Sequence, residues 1–267
     1  TDDAGFETLK HRFTLSDSGL PAQIYVKPHR RNLPLEKRGP DADLNTENLR
    51  EIGRGPQLRG PMRLEVIAGG TRHLARVTRE ARLVKQWKSE LVYESELAAG
   101  PLDLKLRTRY DCDGSMHTEL TYGSDQPVEV EGFELVTDVA GQVDLVASAI
   151  HGGGMAGADR WECTLPHSEG VVWDSANLGR PEMYYTHFVP FIFFGSGDRG
   201  FTWYAASDRH WKLNRSGSSM TLERNEDMEV TWRVKFVNHS TEIDGRETLK
   251  FHVLTHPAKP KIGRAHV

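Results

Sequence analysis

The sequence predicts an all-β chain folded as a large antiparallel β-sandwich, and three observations carry that reading. Apolar and polar residues alternate with a period of two through several long stretches. Glycine-containing turn signals separate those stretches. Helical periodicity is confined to one ambiguous segment. The 267 residues are enough for one large sandwich.

Composition narrows the function classes before any motif is considered. The formal charge is −4 and 37% of residues are hydrophobic, which argues against a nucleic-acid partner, because phosphate-binding domains carry a basic excess. No stretch approaches the roughly 18 apolar residues of a membrane-spanning helix. Cys112 and Cys163 are too few for a disulfide framework or a Cys-rich zinc site, and their spacing leaves pairing open. Charge is unevenly spread: residues 50–90 hold ten Lys or Arg against four acids, and residues 91–180 hold five against sixteen. The solvated faces of successive strands account for such a split.

Taken in order, residues 1–63 are expected to supply N-terminal strands and an extended loop belonging to the sandwich. Pro28, Pro34, Pro40, Pro56 and Pro61, with many charges and few large apolar residues, place 29–61 in a loop or arm outside the core. Residues 64–260 form the main sandwich. Within it, 78–97 is the ambiguous segment: Leu83, Val84, Trp87 and Leu91 suit a helical face, but Leu91, Tyr93, Ser95 and Leu97 alternate, and strands are the preferred reading.

Leu102, Leu104, Leu106 and Tyr110 then alternate with Asp103, Lys105, Arg107 and Arg109. Asp113-Gly114 supplies a tight turn, and Met116, Leu120 and Tyr122 resume the alternation, so a hairpin is predicted. The apolar phase flips between Val128-x-Val130 and Phe133-x-Leu135, which predicts a β-bulge at Gly132. Met228, Val230, Trp232, Val234 and Phe236 predict a late strand, with Trp232 and Phe236 inside and Glu229, Arg233 and Lys235 outside. Leu249, Phe251 and Val253 are expected to form its neighbour. The last residues, 261–267, are expected to be a non-native tail. They contain IGRAHV, which reads like a translated sequencing adapter, so the chain is taken as a fragment of a longer metagenomic gene.

Several motifs look chemical. GSGDRG at 195–200 fits G-x-G-x-x-G, but it opens the aromatic run Phe201-Thr202-Trp203-Tyr204 instead of a helix, so a hairpin is expected. HGGG at 151–154 has no G-x-S-x-G partner to serve and reads as a loop. Twelve histidines are scattered without H-x-H or H-E-x-x-H spacing, so no metal is expected, nor any cofactor. Asn238-His239-Ser240 is formally a glycosylation sequon. The densest mixture of flat aromatic surface and polar edge lies at 173–211, and mixtures of this kind suit sugars, which present apolar C–H faces and hydroxyl rims. Trp173, His187, Asp208 and Trp211 are the candidate carbohydrate contacts there, while Trp203 is expected in the core.

Three segments together resemble a known family. YDCDG at 110–114, FVPFIFFGSGDRGFTWYAASDRHWKL at 188–213 and LTHPAKP at 254–260 are similar to the N-terminal β-sandwich domain of glycoside hydrolase family 123-like proteins. The chain departs from that pattern at His256, where a small residue is usual, and at Tyr204-Ala205-Ala206, where Phe-Ala-Glu is commoner. A sandwich of this size leaves the galactose mutarotase-like supersandwich open as its architecture. The resemblance implies a non-catalytic accessory domain, without catalytic residues of its own, whose partner is a following (β/α)8 catalytic barrel in the same protein. It also implies an extracytoplasmic location and a glycan as a further contact. Two other classes stay open: an independent carbohydrate-binding module, and a catalytic sandwich of the epimerase or lyase kind. The latter would pair His187 with Glu182 or Asp208 on one sheet face.

Overall fold

In the computed structural model, residues 5–8, 10–27, 55–150, 159–176, 188–196 and 199–257 are described. They form strands joined by turns, with no helix. The chain begins with β1 (Gly5–Glu7), β2 (His11–Leu15) and β3 (Pro21–Val26). After residue 55 come β4 (Arg63–Ala68), β5 (Thr71–Leu74), β6 (Arg76–Gln86), β7 (Glu90–Ala99), β8 (Leu102–Asp111), β9 (Ser115–Val130) and β10 (Gly132–Val139). The remainder comprises β11 (Leu145–Ile150), β12 (Asp159–Thr164), β13 (Gly170–Asp174), β14 (Phe191–Gly195), β15 (Gly200–Tyr204), β16 (Met220–Arg224), β17 (Val230–Val237) and β18 (Thr241–His256).

These strands make a nine-stranded sheet in the order β12-β11-β14-β15-β18-β9-β8-β7-β6, a six-stranded sheet in the order β13-β16-β17-β10-β4-β5, and a small β1-β2-β3 sheet. Every strand pair within them is antiparallel. The two large sheets meet through aromatic residues. Trp232 of β17 packs against Phe194 and Trp203 of the opposing sheet, with ring centroids 4.7 and 5.7 Å away. Phe133 meets Tyr122 at 5.3 Å, and Phe236 meets Phe251 at 5.5 Å. Each such side chain contributes roughly 1.5–3 kcal/mol of transfer free energy when buried. The small sheet joins the same core: Phe13 packs on Tyr110 at 5.6 Å, and the Tyr110 hydroxyl donates to the Gly19 carbonyl at 2.7 Å.

The β8–β9 hairpin forms as its alternation requires. Leu102, Leu104, Leu106, Tyr110, Met116, Leu120 and Tyr122 are all buried, and Tyr110 pairs with Met116 across the turn. Gly114 takes φ +95°, and a Cβ there would stand 2.8 Å from His11 Nδ1, so the turn needs glycine for both conformation and space. The ambiguous segment is two strands, β6 and β7, turned at Trp87. β14 and β15, on either side of the GSGDRG stretch, pair antiparallel with Gly195 opposite Gly200, while 197–198 lie outside the described residues.

Four expectations need correction. The phase flip near Gly132 is a change of sheet: β9 ends at Val130 in the nine-stranded sheet and β10 begins at Gly132 in the six-stranded one. Phe133, Glu134, Leu135, Val136 and Thr137 are buried on both faces, which erased the alternation there. A register shift does occur, between Phe133 and Glu134 where they face β17. Secondly, the Leu249–Phe251–Val253 strand is no ladder neighbour of β17; it belongs to the other sheet and packs face to face with it. Thirdly, Met228 precedes β17 at positive φ and is exposed, while Glu229, Arg233 and Lys235 are half-buried. Finally, Gln57 and Leu58 of the proline-rich arm are buried. Most of that arm, the HGGG stretch, Glu182, His187 and the C-terminal tail lie outside the described residues.

The uneven charge resolves into strand pairing. Arg79 and Lys85 of basic β6 meet Glu96 and Glu90 of acidic β7 at 2.6 and 2.7 Å, and Arg107 of β8 pairs with Glu94.

Candidate functional site

The polar face of the nine-stranded sheet carries the most reactive grouping among the described residues. In β8, β9, β18 and β15 the odd–even pattern that sends Tyr110, Met116, Phe251 and Trp203 into the core turns Arg109, His117, His252 and Tyr204 outward. Register then aligns them: Tyr204 pairs with His252, His252 with His117, and His117 with Arg109. The His117 and His252 rings meet edge-to-face at 4.2 Å, and Tyr204 lies 5.3 Å from His252.

Asp111 completes the group. Its Oδ2 is 2.9 Å from His117 Nε2, and Arg109 Nε is 3.1 Å from its Oδ1. The carboxylate therefore sets the His117 tautomer, with the proton on Nε2, while Nδ1 is buried without a hydrogen-bond partner. Burial, the neighbouring His117 and the Arg109 charge push the His252 pKa down to about 4. Burial and then Arg109 also lower His117, against the opposing pull of Asp111. Both imidazoles are thus neutral near pH 7. His117 is held and oriented, whereas His252 is half-buried and its ring nitrogens make no hydrogen bond among the described residues. Such a ring can accept a proton from, or donate one to, a hydroxyl placed on this face.

Two of the three segments quoted for the resemblance contribute to this group, and the third begins in the strand that carries His252. The 110–114 turn supplies Asp111, the β14–β15 hairpin supplies Tyr204, and β18 runs between β15 and β9. His256, one of the departures from the family pattern, is satisfied: its Nε2 lies 2.7 Å from Thr202 Oγ1, and Phe193 packs on its ring at 5.1 Å.

Of the residues singled out in the sequence, the described ones, Trp173, Asp208 and Trp211, fall elsewhere. Trp173 and Trp211 are 7% and 8% exposed, so neither offers an open face to a sugar. Trp211 closes the core against Phe236 at 4.9 Å and Phe188 at 5.3 Å. Asp208 is exposed in the loop before it, and its carbonyl accepts from the Trp211 amide at 2.9 Å. That loop runs over a second polar group, in which Glu247 meets Lys212 at 2.8 Å, the Tyr122 hydroxyl at 3.1 Å and His210 Nδ1 at 3.6 Å. Burial pushes the Glu247 carboxyl up, but its hydrogen bonds to Lys212 and Tyr122 outweigh this and hold it below the ordinary value. A histidine–carboxylate pair on one sheet face does exist, as His117 with Asp111. Sequence reasoning missed His252 beside them because it lies 135 positions beyond His117. The available signal was outward parity on three strands that pair.

Further along the same face a depression of about 270 Å³ is lined by Glu96, Asp103, Lys105, Thr121 and Arg246 among others. Its carboxylates are already tied, Glu96 to Arg79 at 2.6 Å and Asp103 to Arg246 at 3.6 Å. No group of three or more His, Cys, Asp or Glu side chains among the described residues is arranged to hold a metal ion. Cys112 and Cys163 are free thiols.

No protein-family model matches the chain, and no curated protein matches it. Solved structures do. The galactosidase domain of an alpha-galactosidase-sucrose kinase overlaps 95% of this chain and 40% of its own, at 10% identity and a TM-score of 0.52. A glycosyl hydrolase family 38 protein from Enterococcus faecalis overlaps 97% of this chain and 31% of its own, at 9% identity and a TM-score of 0.51. A galactose mutarotase-related enzyme from Lactobacillus acidophilus overlaps 97% and 98% of the two chains at 8% identity, with a TM-score of 0.45 that carries no argument. At these identities the likeness is one of fold. With the strand pairing described above, it defines the class as a large all-β antiparallel sandwich. The chain spans less than half the length of the two glycosidase chains.

Proposed function

We propose that this chain is the non-catalytic accessory sandwich of a larger glycoside hydrolase, set beside a (β/α)8 catalytic barrel and working outside the cytoplasm. One observation carries the reading: nearly all of the chain superposes on a portion, 40% and 31%, of two glycosidase chains at TM-scores above 0.5. The resemblance of residues 110–114, 188–213 and 254–260 to family 123-like sandwiches agrees with it. Glycosidic cleavage needs a proton donor at the leaving oxygen and a second group that stabilises the oxocarbenium-like transition state. In the resembling enzymes that pair belongs to the barrel. The purified chain is therefore expected to release no chromophore from aryl glycosides, N-acetylhexosaminides included.

A second reading is favoured by a specific observation, the His117–Asp111 contact beside neutral His252. A sandwich that exchanges protons with a sugar needs such a set. Interconversion of sugar anomers by the purified chain, followed by NMR and lost on His252→Ala, would replace the accessory reading with a catalytic one.

A further inference from the structure

The row through His252 and His117 extends across more of the sheet. Arg109 pairs with Val92 of β7, and Val92 with Lys85 of β6. Tyr204, His252, His117, Arg109, Val92 and Lys85 therefore stand in register on six adjacent strands. Five strand spacings amount to roughly 24 Å. An open aromatic ring stands at the Tyr204 end of this row and another beside its Lys85 end, with Val92 buried between them. Tyr204 is 43% exposed, and Trp87, just beyond β6, is 63% exposed with Lys85 Nζ 3.5 Å from its ring centre. Between the ends the charges are matched: Glu90 lies 2.7 Å from Lys85 and 3.9 Å from Arg109, and Asp111 holds Arg109 and His117.

We propose that this row binds a neutral oligosaccharide laid across the strands. One sugar ring stacks on Tyr204, another on the open side of Trp87, and the hydroxyls between them bond to His252, Arg109 and Asp111. The proposal rests on the glycan-acting reading above and names the surface through which the sandwich meets the glycan. Three features select this occupant. Exposed aromatic rings offer area to sugar C–H faces at little entropic cost. The paired ions and the neutral His252 present donors and acceptors without net charge, which suits hydroxyls and gives an anionic polymer no electrostatic advantage. The open aromatic surface is split between the two sides of this six-strand span, whose Tyr204 and Lys85 positions are about 24 Å apart, an arrangement that suits an extended chain better than a protein's continuous apolar patch.

Simultaneous engagement of both ends makes affinity depend on chain length. The test is calorimetric titration of the purified chain with di- to hexasaccharides of the chitin, cellulose and mannan series. In at least one series the hexasaccharide is expected to bind about tenfold more tightly than the disaccharide. Trp87→Ala and Tyr204→Ala should each remove most of that gain. Both side chains are exposed, and an unchanged circular dichroism spectrum checks that the variants fold. Failure of every hexasaccharide to bind at millimolar concentration overturns the proposal, as does binding that both variants retain in full. A gene that continues into a barrel while no hexasaccharide binds leaves the accessory reading standing without this surface. Length-dependent binding by a protein without a barrel leaves the surface standing without that reading.

Discussion

His11 is a liability in acid. It is fully buried on β2, and neither ring nitrogen has a hydrogen bond of normal geometry. Burial pushes its pKa from 6.5 to about 4, the backbone of His256 offsetting only part of the effect, with His256, Lys10 and Lys27 nearby adding to it. His252 is lowered to the same range. Between pH 6.5 and about 4 the unfolded chain binds these protons and the folded chain does not. The stability they support is therefore complete above pH 6.5 and is lost as pH falls towards 4. For His11 alone the loss is on the order of 3 kcal/mol. Urea midpoints should drop between pH 7 and pH 5, and His11→Gln should flatten the drop; an unchanged slope would mean that other groups govern it. Trp232 gives a second prediction at this scale. It is fully buried between the sheets, so Trp232→Ala should cost roughly 3–5 kcal/mol in urea unfolding. A loss below about 1 kcal/mol would contradict the packing.

At the scale of strands, two sets of ion pairs look alike in sequence and differ in worth. Arg107 with Glu94 stands on the open face of the nine-stranded sheet, where solvent screens it. Arg233 of β17 meets Glu134 at 3.1 Å, Glu223 at 3.3 Å and Glu65 at 3.5 Å, and the Glu134 side chain is only 6% exposed. Arg233→Ala takes the nearer cation from buried Glu134, leaving it only Arg72 at 3.4 Å, and should cost roughly 3 kcal/mol. Arg107→Ala should cost less than about 1 kcal/mol. Equal losses in parallel urea titrations would show that burial does not separate the two. The same contrast explains what the sequence could convey. Alternation in β8 and β9 was legible because one face is wet. It failed in β10, where both faces are covered, and it could not tell a ladder neighbour from a facing strand, because β17 and β18 both point apolar residues into the shared core. The site was less legible still. The row from Tyr204 to Arg109 joins residues far apart in the chain, and only the register shows that they meet. Trp173 and Trp211 carry the same aromatic signal as Trp87, and burial alone separates them.

At the scale of the whole molecule, two large sheets share one aromatic core, and the outer face of the nine-stranded sheet offers neutral imidazoles and open aromatic rings. That core continues into the small N-terminal sheet, so loss of β1–β3 would remove Phe13 and Ile24 and uncover Tyr110. The central claim, that the chain serves a larger glycan-cleaving enzyme, is tested most directly by recovering the reading frame downstream of Pro260 from the source genome. The account predicts about 250 further residues of alternating strands and helices, the size of a (β/α)8 barrel, following the sandwich. A stop codon close after Pro260 would contradict it.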